Sequence, residues 1–145
     1  MVVADNNKQE IYNWVCERLG YKCAQTVTVG VLSDTKRLIA GISYYQNGLV
    51  CLISAAADSA SWCMPETLSE ILRVPFDVLN CKVVKFEVSN KNDRANRFCK
   101  GIGCVKEGIL RFDRDDGTHT VVWSLTKKEI SKKGWYRYGK QRPKI

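Results

Sequence analysis

The apolar positions of this chain change period along its length, and each change predicts an element. Ile11, Trp14, Val15 and Leu19 recur at helical spacing. Asn7, with Glu10 three residues on, supplies an N-cap and Gly20 a stop, so a helix is predicted over about 7–19. The period then shortens to two. Val27, Val29 and Val31 alternate with Thr26, Thr28 and Gly30, and Leu38, Ala40, Ile42 and Tyr44 form a second alternating run. Asp34-Thr35 and Asn47-Gly48 supply turns, and Leu49 to Ala55 is apolar almost throughout, as suits a strand buried on both faces. Residues 25–56 therefore read as an antiparallel meander.

Helical spacing returns after Pro65, which fits a first helical turn, in Leu68, Ile71, Leu72, Phe76 and Leu79. Pro75 interrupts that stripe and predicts a kink or restart near Arg73–Val74. Val84, Phe86 and Val88 alternate with Lys85 and Glu87 as a strand. Asn92 then caps a short helix striped by Ala95, Phe98, Cys99 and Ile102 and closed by Gly103. Gly108–Phe112 and Val121–Leu125 flank Asp115-Asp116-Gly117 as a long hairpin. The whole is a mixed α/β (α+β) sandwich with a mostly antiparallel sheet and no internal repeat.

Composition changes this picture in two places. The charged fraction of 26% and hydrophobic fraction of 45% are those of an ordinary soluble domain, with no membrane span and no secretory signal, which gives a cytoplasmic expectation. The net charge of +8, however, is concentrated after Thr126, where eight basic residues face only Glu129. We therefore divide the chain into a domain at 1–130 and a basic tail at 131–145. The tail, with Trp135, Tyr136 and Tyr138 among its cations, suits either nucleic-acid contact or docking of the terminus onto the body. The second place is cysteine. Cys16, Cys23, Cys51, Cys63, Cys81, Cys99 and Cys104 are odd in number and never closer than five positions, and His119 is the only histidine. That spacing predicts reduced core thiols rather than a zinc site or a disulfide framework, and no metal.

The strand at 83–88 followed by Asn92-Asp-Arg-Ala95 and, eleven residues after Asn92, by Gly103-Cys-Val-Lys-Glu107-Gly108-Ile-Leu-Arg111 resembles the closing signature of the GCN5-related N-acetyltransferases. Arg37-Leu-Ile-Ala-Gly41 and Val121–Leu125 are similar to that family's earlier and last strands, so the likeness runs over about 25–130. It is nearest to compact members of bacteria and tailed bacteriophages, with a shortened N-terminus. The resemblance implies helices on both faces of the sheet and acetyl-CoA as acyl donor. It implies that Leu49–Ala55, with Leu52, Ile53 and Ser54, is a splayed strand bonding the pantetheine arm. Ser61, Trp62 and Thr67 would lie where the pyrophosphate meets a helix N-terminus, and Asn92 near the thiol. Cys99 takes the place of a frequent tyrosine acid, seven residues after Asn92, but also lies on its helix's apolar stripe.

Three features depart from that pattern. Ser59-Ala-Ser-Trp-Cys-Met-Pro-Glu66 has no glycine where the family has a glycine-rich phosphate loop. The splayed strand has no carboxylate or histidine to act as base, and Glu87 on the next strand is either the nearest substitute or simply a partner of Lys85. Only one helix fits before residue 25, which leaves an open acceptor side suited to an amine of a protein or peptide. The competing expectation is a catalytically silent module working by protein contact, such as a phage assembly or host-takeover factor in the host cytoplasm or the virion.

Overall fold

The computed structural model describes residues 2–4, 8–20, 27–58 and 64–136. Among the described residues there are seven strands: β1 (Val2–Ala4), β2 (Val27–Leu32), β3 (Leu38–Asn47), β4 (Val50–Ala57), β5 (Val83–Ser89), β6 (Val105–Leu110) and β7 (Thr120–Thr126). They form one sheet in the order β1-β2-β3-β4-β5-β7-β6. Every neighbouring pair is antiparallel except β4 and β5. Four α-helices accompany the sheet: α1 (Lys8–Leu19), α2 (Pro65–Arg73), α3 (Asp93–Gly101) and α4 (Lys127–Ile130). The mixed sandwich expected from the sequence is therefore present, with β1 as an addition. Three residues are too few to show an alternating pattern, and β1 exists only because β2 offers it an edge. The predicted cap Asn7 and the residues Cys23, Cys63 and Tyr138 lie outside the described residues.

The two sheet faces are covered differently. On one, Ile42, Tyr44, Ile53, Phe86 and Trp123 pack under Leu68, Ile71, Leu72 and Phe76 and under Phe98 and Ile102 as the main core. On the other, α1 lays Ile11 and Val15 across β2 and β3, as a smaller core. Gly30 and Gly41 stand opposite each other in register there. A methyl group on Gly41 would sit 2.5 Å from Val15 Cγ2, and one on Gly30 2.7 Å from Leu38 Cδ1. These two glycines are what lets the helix approach the sheet.

Pro75 does not end its helix. The α-helical turns pass directly into a π-helical turn at Val74–Val78, closed by the amide of Leu79 donating to the carbonyl of Val74 at 2.9 Å. Proline lacks the amide that would bond the carbonyl of Ile71. That carbonyl instead accepts a 2.7 Å bond from the buried Tyr44 hydroxyl. Burial pushes the Tyr44 phenol well above its ordinary range, so it stays a donor. Tyr44→Phe is expected to lower stability by about 1–3 kcal/mol in urea unfolding, because it leaves a buried carbonyl unpaired; an unchanged midpoint would count against this role.

After β5, α3 is tied down at both ends. Asn96 donates to the carbonyls of Ser89 and Asn92 at 3.0 and 2.9 Å and accepts from Trp123 Nε1 at 2.9 Å, so one amide joins β5, α3 and β7. At its C-terminus, the amide of Gly103 (φ +98°) donates to Lys100 and that of Cys104 to Cys99, at 3.1 and 3.0 Å. That is the pattern of a Schellman cap, whose accompanying apolar contact is made here by Cys99 and Cys104. The buried Cys104 thiol is pushed upward in pKa, first by its hydrogen bond with Cys99 and then by burial, so it stays protonated. Cys51 and Cys81 are likewise buried free thiols, as the spacing of the cysteines led us to expect. Beyond α4, Tyr136 is buried and the Trp135 carbonyl accepts from Ser69 Oγ at 3.3 Å, so the chain through Tyr136 packs on the body.

Candidate functional site

β3 and β4 stay paired from Asn47–Val50 to Ala40–Ala57, and β5 and β7 over the whole of β5. Between β4 and β5 the parallel ladder holds only at Val50–Val83, Cys51–Val84 and Leu52–Lys85. Past Leu52 the two strands diverge. The edge of β4 from Ile53 to Ala57 and that of β5 from Phe86 to Ser89 face a cleft of about 580 Å³. Small side chains make the room. Ser54, Ala55, Ala56 and Ala57 line one wall, where larger residues would fill the gap.

The cleft cuts through the sheet, so its two sides differ chemically. On the α3 side it is apolar at depth, with Phe86, Val88, Ala95, Phe98 and Cys99; Phe86 and Phe98 meet edge to face with centroids 6.2 Å apart. The guanidinium-bearing Arg94 and Arg97 project from exposed positions of α3 at its rim. On the α1 side the lining is polar, with Ser54, Glu87 and Arg18, and Arg114 reaches in from the β6–β7 connection. Arg18 is already committed. It holds Asp58 through bonds of 2.7 and 3.1 Å and lies 3.4 Å above the Trp14 ring centroid. That pairing lowers the Asp58 pKa and raises that of Arg18. Lys85 Nζ lies 3.2 Å from Glu87 Oε1. Glu87 is thus the partner of Lys85 that its position suggested, and it also lines the cleft.

The residues singled out from sequence fall into three groups. Ile53, Ser54, Asn92 and Cys99 come together around the cleft. Asn92 Oδ1 accepts from the Ala95 amide at 3.1 Å, so its side chain caps α3 as well as lining the opening. Cys99 is 1% exposed and part of the core, as its place on the apolar stripe predicted, and it also lies at the wall of the cleft. Leu52 and Thr67 are not among the lining residues. Leu52 forms the last rung at the apex, and Thr67 is buried within the first turn of α2. Ser61 and Trp62 lie outside the described residues. The sequence reading missed Arg18, Arg94, Arg97, Arg114 and the alanine run. Arg94 and Arg97, three apart on a capped helix, were the one signal that could have disclosed a cationic rim.

Solved structures share this fold. Two proteins assigned as acetyltransferases, one of them from T. thermophilus, match at 27% identity with TM-scores of 0.65 and 0.64, over 79% of this chain and 64% of theirs. The spermidine/spermine N-acetyltransferase SpeG of Vibrio cholerae, in mutant forms, matches with a TM-score of 0.64 at 15% identity, over 72% of this chain and 66% of its own. The fold is that of the GCN5-related N-acetyltransferases. The chain thus spans less than two thirds of the length of the two assigned acetyltransferases. Its sequence matches no family model and no curated protein. The opening between β4 and β5 falls on the strand that the family resemblance implied to be splayed, Leu49–Ala55. Among the described residues no group of His, Cys, Asp and Glu is arranged to hold a metal ion, and no helix is long and apolar enough to cross a membrane.

Proposed function

We propose that this chain is an N-acetyltransferase that takes acetyl-CoA in the β4–β5 cleft and passes the acetyl group to an amine of a protein or peptide. The observation that carries this reading is the ladder that stops after three rungs. Backbone amides and carbonyls on the inner edges of β4 and β5 past Leu52 have no ladder partner across the gap, and such groups require partners when covered. A pantetheine arm, with its own two amides, supplies donors and acceptors of that kind in an extended shape. The volume, the apolar floor at Phe86, Phe98 and Cys99, and the cations Arg94 and Arg97 at the rim fit an anionic molecule with a narrow, partly apolar arm.

Bound there, acetyl-CoA supplies a thioester whose carbonyl carbon is open to an amine. The chain's own part is to orient and exclude. Ser54 and the β4 edge fix the arm, and the arginines of α3 face its phosphates. Cys99 offers a thiol at the cleft wall, and Glu87 is the carboxylate that lines it among the described residues. Among the described residues α1 packs chiefly on β2 and β3 and less on β4, which leaves the acceptor side suited to a protein or peptide.

Acetyl-CoA is expected to raise the melting temperature of the full chain in a dose-dependent way, since a ligand that binds only the folded state stabilises it by mass action. A melting temperature that stays constant up to millimolar acetyl-CoA would remove the reading.

A further inference from the structure

The charged side chains of the cleft differ in how far they are already paired. Glu87, on the face of β5 that α1 leaves open, lines the cleft and has Lys85 as its ion-pair partner. Two guanidinium groups accompany it, Arg18 and Arg114. They are not equivalent. The Nε and Nη2 atoms of Arg18 are taken up by Asp58, and its Nη1 lies 3.4 Å from the Trp14 carbonyl. Arg18 therefore has little left to offer a ligand. Arg114 is half-buried, and among the described residues it has no carboxylate within ion-pair distance. Asp116 feels its charge from further off, but the Asp116 carboxylate is bonded by the amide and hydroxyl of Thr118 at 2.9 and 2.6 Å.

Arg114 is also held in place. Its amide and carbonyl bond Thr118 and Gly117 at 3.3 and 2.9 Å, closing the hairpin turn. That turn is fastened to the end of β5. Ser89 Oγ donates to Thr118 Oγ1 at 2.9 Å, and the His119 amide donates to Asn90 Oδ1 at 3.0 Å. The backbone that presents Arg114 is thus fixed to the same strand that presents Glu87, two residues before Ser89. A guanidinium without an ion-pair partner among the described residues, and a carboxylate held by one oxygen to the ammonium of Lys85, match a ligand carrying both a carboxylate and an ammonium group that can share Glu87. A polyamine offers Arg114 no carboxylate and meets repulsion from its guanidinium group.

Resting on the reading of the cleft as an acyl-donor site, we propose that the acceptor is an amine with an acidic group close by, such as a peptide N-terminus followed by acidic residues. Glu87 receives the ammonium group and Arg114 the neighbouring carboxylate. Arg114 is a specificity residue in this scheme.

The test uses the full chain, acetyl-CoA and three amines: a peptide whose free N-terminus precedes two glutamates, the same peptide with two glutamines, and spermidine. Thiol release should give the acidic peptide a kcat/KM about tenfold or more above the neutral one, as a charge-assisted hydrogen bond to Arg114 would produce. Spermidine should rank last. Arg114→Gln should abolish the preference, bringing the KM of the acidic peptide to that of the neutral one. Equal rates for the two peptides, or a preference for spermidine, overturn the proposal. Calorimetric titration of both peptides without acetyl-CoA separates the two layers. If acetyl-CoA fails to bind, the transferase reading falls. Tighter binding of the acidic peptide, lost in Arg114→Gln, would then still support recognition at this site, and equal binding would end it.

Discussion

If the β4–β5 cleft takes acetyl-CoA as proposed, Ala55→Phe is expected to abolish the stabilisation by that ligand while leaving the chain folded. Ala55 lies on the free edge of β4, at the wall of the cleft and below α2, and it pairs with Ile42 in the intact ladder to β3. A phenyl ring there occupies the space between β4 and the Phe86–Phe98 pair. For the unaltered chain, ligand at a hundredfold excess over Kd contributes about 2.7 kcal/mol, or roughly 5–10 °C in melting temperature for a domain of this size. The variant should show none of that rise. Its own stability should fall by about 1–3 kcal/mol from overpacking, so the shift is read against the variant's ligand-free melt. A full ligand-induced shift in Ala55→Phe would place acetyl-CoA elsewhere.

Gly41→Val should be among the most destabilising single changes on the α1 face. The first added carbon alone comes 2.5 Å from Val15 Cγ2 and 3.3 Å from Trp14 Cε3, and Val15 is fully buried with no room to retreat. Either α1 lifts from the sheet or β3 bends, at a cost of about 1–3 kcal/mol or more. Lifting α1 would also displace Arg18, hence its bonds to Asp58 at the cleft rim. Urea unfolding followed by fluorescence of the four tryptophans measures the loss. A variant as stable as the parent would show that the helix tolerates a greater separation from the sheet. Gly108→Val, where an added methyl meets nothing within 4 Å, is the matching control for valine introduced into a strand.

These residues also mark what could be read from sequence. Strands whose alternation is complete, such as Val84, Phe86 and Val88, were legible because side chains on a pleated strand point to opposite faces by geometry alone. The cap at Asn92 and the stop at Gly103 were legible because a helix end leaves unpaired groups that only certain residues satisfy or permit. Pro75 was legible as an interruption, though its form was not. Whether a proline ends a helix or widens it depends on who satisfies the freed carbonyl, and Tyr44 lies 27 positions from the carbonyl it bonds.

The candidate site was legible only where it coincided with those local signals. Asn92 and Cys99 were found through the helix they start and stabilise, and Ile53 and Ser54 through the apolar run that contains them. Arg114 and Arg18 carried no mark, because an arginine near a turn or a helix end is ordinary until the fold brings it to a cleft. Thr67 looked available and is buried, since the third residue of a helix can face either way.

By itself, then, the sequence determined β2 to β5, β7, the helical stripes, the cap at Asn92 and the family likeness, which follow from backbone geometry over short stretches. It carried no sign of β1 and set β6 (Val105–Leu110) too late, at 108–112. Only the tertiary structure decided that β4 and β5 part after Leu52, that Glu87 and Arg114 share one opening, and that Arg18 is spent on Asp58. Parting strands and shared charge are relations between segments far apart in the chain, and no local period encodes them.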